Sequence, residues 1–181
     1  EIASCLVGSE MCIRDRDMTD FSSGAVCSPT AAVNLCIYWA DKNEAKYGKL
    51  KFWDSWNESF WYFYSLMETD LTNGTKENKI AGAYQEYFMR MGLSCDANFH
   101  EHTNNGQDIV EELDCGRPVH LMLHDHYKYK NHSVIALGYM QFRYDDYDSI
   151  YIRIADGWSR TANRYVWGMC YGTWNYVSVE V

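Results

Sequence analysis

From Ala31 to Ala40 every position except Asn34 is apolar or aromatic. Ser28-Pro29 stands just upstream, with Ser28 a suitable N-cap and Pro29 a suitable first helical residue, since its missing N–H does no harm there. The pattern predicts a helix through about Asn43, wrapped by protein on most sides. Beyond Gly48, Trp53, Trp56, Phe60, Phe63 and Met67 recur at three- and four-residue intervals, the spacing of a second helix. Asn73-Gly74 marks a turn and Thr75 a cap. Ile80, Ala83, Tyr84, Tyr87, Phe88 and Met91 then stripe a third helix, stopped by Gly92.

Residues 93–105 are polar and read as irregular. A short helix is expected over Gln107 to Asp114, with Ile109, Val110 and Leu113 inward, Gly116 past its end and Pro118 as the stop. After Pro118 the period becomes two: Val119, Leu121 and Leu123 alternate with His120, Met122 and His124. The later runs SVIALGYM, SIYIRIAD and NYVSVEV are short, β-branched and bounded by turn-formers. Helices in the first half and strands in the second mean an α+β fold rather than a doubly wound sheet. A helical part at about 17–117 and a β part at about 118–181 follow, together one domain.

The first sixteen residues break this texture: they have neither helical nor strand period and no aromatic residue. They also lack the basic start and continuous apolar stretch of a secretory signal. The string CLVGSEMCIRDR at 5–16 resembles a translated sequencing adapter of the kind carried at the ends of metagenomic gene models. Residues 1–16 are therefore expected to be a non-native or disordered tail. Setting them aside removes Cys5 and Cys12 from a total of seven cysteines, and an odd, scaffold-like count becomes a question about individual thiols.

Composition narrows the class. A 47% apolar, 16% aromatic chain of 181 residues is a folded domain, not a disordered one. A formal charge of −9 argues against a nucleic-acid partner, because little is available to neutralise phosphates. No apolar run approaches the roughly 18–20 residues of a membrane span.

Cys27 is the most suggestive thiol, because it directly precedes a helix whose N-terminal N–H groups favour a thiolate. A thiol nucleophile needs a base, and the base needs an orienting partner. His132 opens the strand NHSVIALGY, and Asp156 ends the strand IYIRIAD. Each alone has a plain structural explanation: a packed thiol, a strand-edge histidine, a turn-forming aspartate. Together they form the ordered set Cys, His, Asp. Trp158, two residues after Asp156, is expected to shield the His–Asp contact, and Asn131 to line the cleft.

The stretches CSPTAAVNLCIYW, GRPVHLML, NHSVIALGY and IYIRIADGW resemble the papain-like cysteine peptidases, nearest the bacteriocin-leader-processing (double-glycine) branch and its secreted bacterial relatives. Around the nucleophile helix they also resemble streptopain. The resemblance covers about residues 20–181. It implies a two-lobed fold, with Cys27 as nucleophile, His132 as general base and Asp156 orienting it. It further implies a peptide or protein substrate, a thioester intermediate, no cofactor, a monomer, and an extracellular or cell-surface location on a bacterium.

One departure stands out. Where such enzymes carry an oxyanion-binding Gln, about six residues before the nucleophile, this chain has Phe21, and the nearby polar residues are Asp20, Ser22 and Ser23. A catalytically silent peptide- or surface-binding module, or a thiol acyltransferase, are the alternatives. His120, His124, His126 and His132 invite a metal hypothesis, yet their spacing matches no familiar zinc site, and no metal is expected. Asp145, Asp146 and Asp148 read as a solvated hairpin turn. Cys36 is expected in the core, a Cys95–Cys115 bridge is compatible with an oxidising compartment, and Cys170 falls in the last β region.

Overall fold

A computed structural model describes residues 4–7, 16–103, 106–143, 148–160, 163–167 and 174–181. Five helices are described: α1 (Cys27–Lys42), α2 (Glu44–Tyr47), α3 (Trp56–Leu66), α4 (Ile80–Arg90) and α5 (Gln107–Asp114). Seven strands are described: β1 (Ser4–Val7), β2 (Asp96–His100), β3 (Val119–His126), β4 (Lys130–Arg143), β5 (Asp148–Ala155), β6 (Arg164–Trp167) and β7 (Asn175–Glu180). They form one antiparallel sheet in the order β2-β7-β3-β4-β5-β6, with β1 pairing the far end of β4. The fold is α+β, as the segregated pattern requires.

Helix α1 is the hub. Every residue from Ser28 to Ala40 is buried, because α1 packs on α3 on one side and on β3 and β4 on the other. Its one buried amide has a job: Asn34 accepts from the Arg16 N–H at 2.8 Å and donates to the Arg16 carbonyl at 3.2 Å, docking the incoming chain. The buried side chains of the helices and of the sheet form a single contiguous core. At about 1.5–3 kcal/mol for each fully buried large apolar side chain, rings such as Phe60, Phe63, Tyr84 and Tyr87 dominate the burial term.

The structure departs from the sequence pattern in six places. Helix α1 begins two residues early, with Val26 as N-cap and no side-chain cap, so Cys27 is the first helical residue and Ser28 and Pro29 follow inside the first turn. Trp53 is not on the second helix: it and Asp54 have φ of 46° and 57°, and Trp53 is 78% exposed. Two consecutive left-handed residues cannot continue a helix, and α3 starts after Ser55, whose hydroxyl accepts from Glu58 N–H. Thr75 caps nothing; its hydroxyl pairs with Thr69 at 2.7 Å, and α4 begins instead from the turn at Glu77–Lys79.

Residues 96–100 are not irregular but form β2, an edge strand on β7, so the sheet reaches into the part expected to be helical. The alternation in β3 does not separate a wet face from a dry one. Val119–Leu123 are buried on both faces because helices cover the side bearing His120 and Met122. Finally, Ser4–Val7, in the tail expected to be non-native or disordered, pair with Met140–Arg143 of β4.

Candidate active site

The first turn of α1 meets the start of β4 across a cavity of about 140 Å³ whose lining includes Cys27, Ser28, Asn131, His132 and Ser133. Ser28 and Ser133 hydroxyls bond at 2.8 Å, fixing the helix start to the strand. Cys27 and His132 line this cavity together and interact through their side chains. The thiol also receives the Ser133 N–H and the Ser28 side chain. Burial pushes the Cys27 thiol up, but the bond to His132, the imidazolium charge and the two serine contacts outweigh it, and the thiol lies below its ordinary range. Burial likewise pushes His132 down, and the Cys27 contact with the Asp156 segment outweighs it, so the imidazole lies above its ordinary range. Both shifts run the same way, toward thiolate and imidazolium.

The other thiols behave oppositely. Cys36 is fully buried and raised well above its ordinary value by that burial. Cys95, half-buried, is pushed up to about 12, first by burial and then by Asp96. Cys95 and Cys115, a pair compatible with a bridge in an oxidising compartment, are both free. Cys170 and the Asp145–Asp146 turn lie outside the described residues, as does the side chain of Asp148.

His132 Nε2 bonds to the main-chain oxygen of Asp156 at 2.7 Å, where its carboxylate was expected. A carbonyl only accepts, so Nε2 carries the hydrogen and Nδ1 is left for the Cys27 thiol. The buried Asp156 carboxylate turns away to other donors: Tyr129 Oη at 3.1 Å, Trp158 N–H at 3.0 Å and Ser159 Oγ at 3.1 Å, with Arg164 Nε at 3.9 Å. It acts as the hub of a turn, which is what a strand-end aspartate followed by Gly157 does. The Trp158 ring lies 4.8 Å from the His132 ring and is 46% exposed, so it covers that contact from the solvent side.

The expected oxyanion residues are elsewhere. Asp20 caps its own turn and pairs with Arg16 and Arg160, and with Phe21 it lines a separate cavity of about 930 Å³. Phe21 stacks on Phe60 at 4.4 Å. Ser22 bonds to the Ser23 carbonyl, and neither serine is among the residues described as lining the Cys27 cavity.

That lining includes residues the sequence did not flag: Asn73, Gly74, Thr75 and Glu77 from the loop before α4, and Met122 and Leu123 from β3. The loop is tied to the nucleophile segment by Ala25 N–H bonding the Leu71 carbonyl at 2.8 Å. Glu77 accepts from Asn175 Nδ2 at 2.7 Å, and His124 Nε2 lies 3.0 Å from its other oxygen. The remaining histidines also have separate tasks: His120 meets Tyr84, and His126 Nδ1 accepts two turn N–H groups. The four therefore do not converge on one point.

A lowered thiol at a helix start, facing an imidazole on an antiparallel sheet in an α+β chain, is the arrangement of a papain-like cysteine peptidase. The model of the Peptidase_C39 like family matches residues 14–179, and the chain belongs to that family. Among curated proteins, none matches the chain.

Proposed function

We propose that the chain is a cysteine peptidase that hydrolyses peptide bonds through Cys27, with His132 as the general base and acid. The observation that carries this is the meeting of Cys27, at the first turn of α1, and His132, oriented by the Asp156 carbonyl at 2.7 Å, in one cavity; a thiol lowered and an imidazole raised from their ordinary ranges agree with it. Family membership supports peptidase activity. On this reading the cavity is the cleft between the helical part and the β part. The Cys27 thiolate adds to the scissile carbonyl, and His132 Nδ1–H protonates the departing amine. Water, deprotonated by the same nitrogen, then cleaves the thioester.

Asp156 acts through its main-chain oxygen, which fixes the His132 tautomer. Its carboxylate holds the turn that presents this oxygen. The oxyanion is met by the Cys27 N–H, in the helix turn that has no intrahelical acceptor. Asn73 lines the same cavity on the loop anchored beside Ala25; one N–H of its side-chain amide donates to Asp70 Oδ1 at 2.9 Å, and the other is the second donor in place of the missing Gln.

Incubation with a mixed peptide library, read by mass spectrometry, tests the proposal. New termini are expected with the native chain and none with Cys27→Ala; no cleavage by either rejects it. The rival, a silent binding module, is favoured by Phe21, whose ring is committed to Phe60. Any Cys27-dependent cleavage eliminates that rival.

A further inference from the structure

We propose that Tyr129 is the positioning residue of the nucleophile–base pair, its ring setting the plane of the His132 imidazole and its hydroxyl setting the segment that holds Nε2. The inference rests on Cys27 and His132 being nucleophile and base. A histidine bonded at one nitrogen to a lone carbonyl keeps its freedom to rotate about that bond and to follow the carbonyl as it moves. Something must fix both the ring and the carbonyl.

Tyr129 touches both. Its ring runs nearly parallel to that of His132, with centroids 5.7 Å apart and an interplanar angle of 9°, an offset stack of the favoured kind. Its hydroxyl donates to Asp156 Oδ2 at 3.1 Å, in the same residue whose main-chain oxygen receives His132 Nε2–H. Trp158 closes the group, 5.0 Å from Tyr129 and 4.8 Å from His132. Tyr129 is 4% exposed, so it meets substrate only marginally and acts through its neighbours.

Tyr129 is itself held. It lies on the turn between β3 and β4, where His126 Nδ1 accepts the N–H groups of Lys128 and Tyr129, each at 3.2 Å. Lys128 Nζ donates to the Tyr129 oxygen at 3.1 Å and sits 4.6 Å from its ring centroid. A cation on the phenol oxygen polarises the O–H toward Asp156. A chain of contacts therefore runs from Lys128 through Tyr129 and Asp156 to His132 and Cys27.

The test is the pH dependence of iodoacetamide alkylation of Cys27, followed on its own peptide by mass spectrometry, which requires no known substrate. Tyr129→Phe keeps the stack and removes the donor; Tyr129→Leu removes both. Tyr129→Phe is expected to move the acid limb of the Cys27 profile upward, lowering the alkylation rate at pH 5 by about three- to tenfold, since the thiolate population on that limb falls about tenfold when the limb moves up by one pH unit. Tyr129→Leu is expected to lower it further. With a cleavable peptide in hand, kcat should fall with KM within about twofold.

A profile for Tyr129→Phe that superimposes on the native one overturns the proposal, as does a KM effect at constant kcat. Should the native chain itself lack a Cys27 profile shifted to acid, the nucleophile–base reading fails first. Thermal melting of Tyr129→Phe close to that of the native chain excludes a mere loss of fold. If the melting falls and the profile does not move, Tyr129 is structural only and the proposal fails.

Discussion

His132 and Asp156 are joined through the aspartate's main-chain oxygen, 2.7 Å from Nε2, while its carboxylate bonds to Tyr129, Trp158 and Ser159. The contact survives any side chain at position 156 that keeps the turn. Asp156→Asn is therefore expected to reduce kcat by only about tenfold, whereas a triad carboxylate in direct contact with its histidine is worth about 10⁴. Asp156→Ala, which strips the carboxylate from three donors, should cost more in stability than in chemistry, on the order of 3 kcal/mol for leaving buried donors unmet. Kinetics and thermal melting of the two variants separate these effects. A loss near 10⁴ in Asp156→Asn would mean that the carboxylate reaches His132 during the reaction.

The paired shifts at Cys27 and His132 dictate a pH window. Thiolate forms as pH rises through the lowered Cys27 value, and the proton needed for the leaving group is lost as pH rises through the raised His132 value. Activity should therefore rise on a limb below the ordinary thiol range and fall on one above the ordinary imidazole range. In native protein at pH 6, iodoacetamide should modify Cys27 before Cys36 and Cys95, whose thiols burial pushes up. His132→Ala should remove that preference. Equal labelling of Cys27 and Cys95 at this pH would contradict the ion pair.

Substitution of Asn73, which lines the cavity with Cys27, tests the oxyanion site. Asn73→Ala should lower kcat by about 10²–10³ with little change in KM, the usual loss for one oxyanion donor. Ser22→Ala and Ser23→Ala should change it by less than about twofold, because neither is among the described residues lining the cavity. Steady-state kinetics on one cleavable peptide decides among them. An effect confined to the serines would move the oxyanion site to the segment before α1.

Periodicity made most of the fold legible, because α4, α5 and β3–β5 each carry a sustained apolar pattern. It missed β2, whose sequence DANFH alternates over only five residues with two apolar positions, too short a signal to stand out from the polar run around it, and which pairs with β7 at the sheet edge. It also carried the second helix through Trp53, although Ser55 and Glu58 spell a capping signal three residues apart. At the site, Cys27 and His132 were visible because their residue types are chemically specific. The Asp156 carbonyl was not, since a main-chain oxygen has no sequence signature. Nor was the loop at Asn73–Glu77, whose meeting with Ala25 and Cys27 is set by tertiary packing alone.

A second histidine sets the acid stability of the fold. His120 is fully buried, and burial lowers it to about 3. Its Nδ1 meets the equally buried Tyr84 hydroxyl at 2.9 Å, and Nε2 has no described hydrogen-bond partner. The folded state therefore keeps His120 neutral where the unfolded chain, with an imidazole near the ordinary 6.5, takes up a proton. The sign follows: this group leaves stability untouched above about pH 6.5 and removes it as pH falls toward 3, by about 1 kcal/mol per pH unit within that window. Denaturant unfolding at pH 7 and pH 5 should register the loss, and the double variant Tyr84→Phe/His120→Leu should flatten the dependence. Tyr84→Phe alone should cost about 1–3 kcal/mol at pH 7, because it leaves a buried imidazole unpaired. The double variant should recover part of that cost, since replacing both partners by apolar groups removes the unmet group as well as the bond. An unchanged pH slope in the double variant would assign the acid sensitivity to other groups.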